Sequence, residues 1–213
     1  MRKLTIIGVT ITALVALSAI ASTMATAALP EFNKTKVKYT SFSGPGTLAV
    51  SGGNTIECAS DTDAGEITGA KTVSLTVDFK TCKIFGLIGA HSLGDAENTI
   101  LTSATGTLCY LNEAKKEVGL ILTPTGELHI EAPNAGALAE IEGSVIGQLT
   151  PVNKTTLRGE LILKQKEGKQ ELLKCGSTET HLETAENEGT FKASGEGTTD
   201  AIGYLTSEVD LLA

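Results

Sequence analysis

The chain has 213 residues, with 17 basic and 25 acidic side chains for a formal net charge of −8, and it contains no Trp. An acidic surface repels phosphate backbones and anionic headgroups, which argues against nucleic-acid and membrane-surface partners. Aromatic residues make up 4% of the chain, too few for a platform that stacks sugars or bases, so Val, Ile, Leu and Ala must build the core.

Residues 1–27 read as a cleaved signal peptide. Arg2 and Lys3 form a positive n-region, residues 4–20 are an apolar run diluted by Thr and Ser, and Ala25-Thr26-Ala27 is a small-x-small cleavage site. The alternative is a retained span, since the run is close to the ~18 residues that begin to suggest one. Thr5, Thr10, Thr12 and Thr23, the cleavage motif and the lack of cationic flanks after Thr26 weigh against it. No Cys follows the site to take a lipid, and no second apolar run or anchor tail is present. Residues 28–213 are therefore expected as one released extracellular domain without a stable membrane anchor.

Beyond the leader the dominant period is two. Gly52-Gly53-Asn54 joins residues 48–51 to 55–58 as a hairpin turn. Asp61-Thr62-Asp63-Ala64-Gly65-Glu66 reads as a hairpin tip whose Asp side chains bond backbone amides. It also looks like half a calcium loop, without the third acidic position or the distant bidentate Glu. Val73, Leu75, Val77 and Phe79 alternate with Thr72, Ser74, Thr76 and Asp78 as a half-buried strand.

Residues 83–97 carry a mixed, Gly-containing pattern and read as the longest loop. Pro124-Thr125-Gly126 turns the chain from residues 118–123 toward 128–131. Ala139, Ile141, Gly143, Val145, Gly147 and Leu149 read as one long strand that Pro151-Val152-Asn153 ends, and Leu157, Leu161 and Leu163 form another. The acidic stretch 180–188 is the best helical candidate, although Leu182 is its only apolar anchor. Gly followed by Thr or Glu and then an apolar residue recurs at Gly46, Gly65, Gly106, Gly126 and Gly159, read as hairpin starts. The expected fold is all-β: a single antiparallel β-barrel or β-sandwich of roughly ten to thirteen strands with almost no helix.

Cys58, Cys82, Cys109 and Cys175 all follow the leader, so two disulfides are expected, with three connectivities open. Cys58 and Cys82 are close and flank a strand pair, which favours Cys58–Cys82 and leaves Cys109–Cys175. The first closure is worth about 3–4 kcal/mol in the chain-entropy account. No CxxC pair or His beside a Cys offers metal spacing, and no cofactor is expected.

Several phrases resemble an uncharacterised family of small secreted all-β bacterial proteins. They are Ser51-Gly52-Gly53-Asn54-Thr55-Ile56-Glu57-Cys58, Ser60-Asp61-Thr62-Asp63-Ala64-Gly65-Glu66-Ile67-Thr68-Gly69, Phe79-Lys80-Thr81-Cys82 and the run from Gly143 to Lys154. The resemblance covers most of residues 40–175 and implies a signal peptide and a β domain, with no activity to carry over. The chain departs from that pattern at Cys109 and Cys175.

One motif invites a catalytic reading. Ala90-His91-Ser92-Leu93-Gly94 resembles the Ala-x-Ser-x-Gly nucleophile elbow of some small bacterial lipases, with His129 or His181 as base. An elbow needs a strand-to-helix turn, and residues 95–100 are too short and β-like for the helix. His129 between Glu127 and Glu131 reads as a solvated polar face, and Glu179, Glu183, Glu186 and Glu188 as a solvated acidic loop. The leading expectation is a secreted, non-enzymatic extracellular or cell-surface protein with no catalytic residues, structural or binding, such as a cell-envelope component. The alternatives are a serine hydrolase using Ser92 and a carrier of a small apolar ligand in a barrel lumen.

Overall fold

The structure is a computed structural model that describes residues 30–51, 53–198 and 201–213. The signal-peptide reading of residues 1–27 lies outside the described residues.

Eight strands close into an antiparallel barrel: β1 (Val37–Ser43), β2 (Ser60–Ile67), β3 (Thr72–Lys80), β4 (Thr99–Asn112), β5 (Glu117–Pro124), β6 (Val145–Thr150), β7 (Thr156–Ile162) and β8 (Ala201–Val209). Each pairs with the next in sequence, and β8 returns to β1. This is an up-and-down barrel, which leaves no open sheet edge among its eight strands. Period-two patterning explains the local choice. Val73 and Leu75 are buried inside while Thr72 and Thr76 are exposed outside, so one face excludes water and the other keeps it. On this strand apolar residues face the lumen and polar ones face out, opposite to a strand whose outer wall meets lipid.

Sequential antiparallel pairing puts alternate connections at the same end. The lower end has the short links 68–71, 113–116 and 151–155, closed by Glu31–Phe32 paired with Leu211–Leu212. The upper end receives every long connection, and these build two five-stranded accessory sheets. The first runs Glu196–Thr198, Gly46–Ala49, Thr55–Cys58, Lys83–Ile84, Ile88–Gly89. The second runs Lys192–Ser194, Leu182–Glu186, Ala137–Gly143, Leu128–Ala132, His91–Ser92.

Both disulfides form as Cys58–Cys82 and Cys109–Cys175, with sequence separations of 24 and 66. The first ties the upper end of β3 to the first accessory sheet. The second straps the insertion between β7 and β8 onto the barrel's outer wall. Gly119 makes room there, because a Cβ at that position would lie 2.7 Å from the Cys175 sulfur.

Several local readings change. The eight barrel strands are joined by sixteen further strands among the described residues. Residues 83–97 hold three short strands: Lys83–Ile84 pairs with Ile56 and Glu57 and with the adjacent Ile88–Gly89, and His91–Ser92 pairs with Glu131 and Ile130. The helical candidate at 180–188 is instead strand Leu182–Glu186, with Leu182, Thr184 and Ala185 buried; long-range pairing with Ala137–Gly143 outweighs local propensity. The expected long strand through 139–149 breaks at Gly143, whose φ of 92° only glycine tolerates readily. It passes from the second accessory sheet into β6. Gly65 and Gly106 are not hairpin starts but lie within barrel strands facing the lumen. A Cβ at Gly65 would collide with the Tyr39 ring, and one at Gly106 with Val73, so neighbouring side chains pack against both glycines inside the barrel.

Candidate functional site in the barrel lumen

Two cavities are stacked inside the barrel. The upper one, of about 130 Å³, is walled by Leu75, Ile100 and Leu122 from the barrel and by Ile56, Ile130 and Leu182 from the accessory sheets. The lower one, of about 120 Å³, is walled by Ile67, Leu120 and Leu149, with Phe32 and Leu211 at its floor. Asp63, Leu75, Leu161 and Ala201 border both and form the waist between them.

Acids occupy this apolar interior. Asp61 and Asp63 lie on the inward face of β2, opposite Ser43 and Ser41 of β1. The Ser41 hydroxyl donates to Asp63 Oδ2 at 2.6 Å, and the Ser43 hydroxyl donates to Asp61 Oδ2. The second oxygen of each carboxyl, Oδ1, is buried and meets no donor among the described residues. Glu196 enters the upper cavity from the first accessory sheet.

Burial pushes the Asp63 carboxyl up to about 7; the Ser41 bond opposes this and the Asp61 charge adds to it. Burial does the same to Glu196, also to about 7, reinforced by Asp61 and Asp63. Asp61 is raised by burial, with its two bonds from Ser43 opposing. Burial and the Asp63 charge push the Tyr39 hydroxyl well above its ordinary range. Low-dielectric surroundings disfavour each anion, and neighbouring like charges compound that cost. Among the described residues no Lys, Arg or His lines either cavity.

The hairpin-tip reading of residues 61–66 is therefore corrected: they are barrel strand, with both Asp side chains turned inward. Among the described residues no group of three His, Cys, Asp or Glu is placed to hold a metal ion. Phase could have revealed part of this arrangement, since Asp61, Asp63, Gly65 and Ile67 share one face of a strand. Glu196, set between Gly195 and Gly197, carries no local signal.

Ser92 is in a different setting. It is 6% exposed and sits on a two-residue strand followed by turns, without the helix an elbow requires. Its hydroxyl donates to the Leu101 carbonyl at 3.1 Å and accepts from the Leu101 amide at 2.7 Å. His91 pairs with Glu131 at 3.1 Å, His129 lies 3.8 Å from Glu127 and His181 lies 3.4 Å from Glu179. None of these is a bond to Ser92. The expected result for Ser92→Ala is a loss of about 1–2 kcal/mol in urea unfolding, because the Leu101 amide and carbonyl both lose their hydroxyl partner. A fluorophosphonate probe is expected to label neither form; labelling abolished by the substitution would reinstate the hydrolase reading.

Comparison of the chain with protein-family models, curated proteins and solved structures gave no match.

Proposed function

We propose that this is a secreted, non-enzymatic binding protein that carries a small apolar ligand in its barrel lumen. The single observation behind this reading is the pair of apolar cavities inside a closed eight-stranded barrel. Side chains fill the interior of many barrels of this size, and others hold one small ligand. Here volumes of about 130 and 120 Å³ are left unfilled. A dry cavity of about 150 Å³ lined by aliphatic groups accepts a benzene-sized guest, and each of these is of that order. Two disulfides fit an oxidising compartment, and no described helix is long and apolar enough to cross a membrane.

Native mass spectrometry of protein purified from its producer is expected to show added mass that denaturation releases. Independently, benzyl alcohol and toluene should raise the midpoint of thermal unfolding in a dose-dependent way. Saturation at one hundred times Kd corresponds to about 2.7 kcal/mol. A large side chain at the waist, as in Ala201→Phe, should abolish that rise. An unchanged midpoint with both probes, together with no carried mass, would refute the proposal.

A further inference from the structure

Two features of the lumen are unexplained by a purely apolar guest. Asp61 is 4% exposed and borders the upper cavity with Oδ1 unpaired, and Asp63 at the waist repeats the arrangement. The hydroxyl of Thr198 on the same cavity wall is also buried without a partner. Unpaired buried carboxyl oxygens are costly unless a donor meets them, and among the described residues no cationic side chain borders either cavity to supply one. Ser41 and Ser43 each occupy one oxygen per carboxyl and hold the other in place.

We propose that the lumen selects a small apolar primary amine in its ammonium form, with the head at the unpaired oxygens of Asp61 and Asp63, Glu196 adding to the negative field, and the apolar group in the adjoining cavity. This rests on the ligand-carrier reading above and specifies its chemistry. An ammonium offers three donors and no acceptor, which matches acceptors whose existing partners are hydroxyls. Its charge offsets the repulsion among the three carboxyls. Cavity size restricts the apolar part to about one aromatic ring per cavity or a short alkyl chain.

The charged and titratable groups bordering the head are Asp61 and Asp63 on β2, Tyr39 on β1 and Glu196 on the accessory strand, with Glu160 of β7 beside the lower cavity. Binding a cation expels protons from the carboxyls, so affinity should rise with pH through the range where Asp63 and Glu196 ionise, near 7. A guest with a carboxylate head should show the opposite trend.

The test is calorimetric titration of the disulfide-bonded protein with benzylamine, benzyl alcohol and benzoate at pH 5 and pH 8. Benzylamine is expected to bind at least tenfold more tightly than benzyl alcohol at pH 8, with the ratio shrinking at pH 5. Asp61→Asn with Asp63→Asn should remove the amine preference while leaving benzyl alcohol affinity in place, which also shows that the variant is folded. Equal binding of amine and alcohol, or tighter binding of benzoate, would overturn the amine assignment and leave the carrier reading standing. Binding of none of the three would overturn both.

Discussion

Between pH 5 and pH 8 the ligand-free barrel is expected to lose roughly 2–4 kcal/mol of stability. Asp63 and Glu196 titrate near 7 in the folded protein against ordinary values of 3.8 and 4.5. Their folded values are raised, so the folded state binds more protons than the unfolded chain across that window. The contribution is fully present below about 4 and is lost as pH rises through about 7. At about 1.4 kcal/mol per pKa unit, one sealed carboxyl would contribute about 4 kcal/mol. Both groups border cavities and share one charge field, which brings the combined figure down to the range stated.

For a domain of this size that corresponds to a Tm lower by roughly 5–15 °C at pH 8 than at pH 5. Asp63→Asn keeps an acceptor for the Ser41 hydroxyl and cannot ionise, so it should raise Tm at pH 8 and flatten the profile. Glu196→Gln should act in the same direction. Differential scanning calorimetry across pH decides this: a flat wild-type profile, or a less stable Asp63→Asn variant at pH 8, contradicts the buried-acid account.

Loss of the Cys109–Cys175 bond, through paired Cys→Ala substitutions, should cost about 4 kcal/mol. Its sequence separation of 66 exceeds the 24 of Cys58–Cys82. The chain-entropy relation gives about 4.3 and about 3.4 kcal/mol respectively. The longer bond also has the larger structural reach. It anchors the hairpin Lys174–Cys175 with Thr178–Glu179 against β4, where the Gly176 amide donates to the Tyr110 carbonyl at 2.7 Å. The same insertion later delivers Glu196 to the upper cavity. Guanidinium unfolding should show a lower midpoint, and hydrogen exchange should show lost protection around residues 174–179. A double-alanine variant within about 1 kcal/mol of the parent would mean that packing alone holds the insertion in place.

Much of the barrel is legible locally. Alternation along Val73, Leu75, Val77 and Phe79 names a strand and its buried face, because side-chain direction in a strand depends only on residue parity. Cys58 and Cys82, close in sequence around a strand pair, favour their own pairing and leave Cys109 to Cys175. The same parity placed Asp61 on the face of Ile67, yet a turn reading prevailed because Asp, Gly and Thr are turn residues in isolation.

What surrounds a face was settled only in three dimensions. Ring closure of β8 on β1 turns one side of each strand into an enclosed lumen, and no residue of Asp61-Thr62-Asp63 encodes that enclosure by itself. Residues 180–188 lack a stripe of apolar anchors because their partners, Ala137–Gly143 and Lys192–Ser194, supply the pairing from elsewhere in the chain. Glu196 is brought beside Asp61 and Asp63 across more than a hundred intervening residues. Local sequence determines conformation and polarity; the acidic waist depends on long-range strand pairing, whose energy is shared among segments that no local window contains.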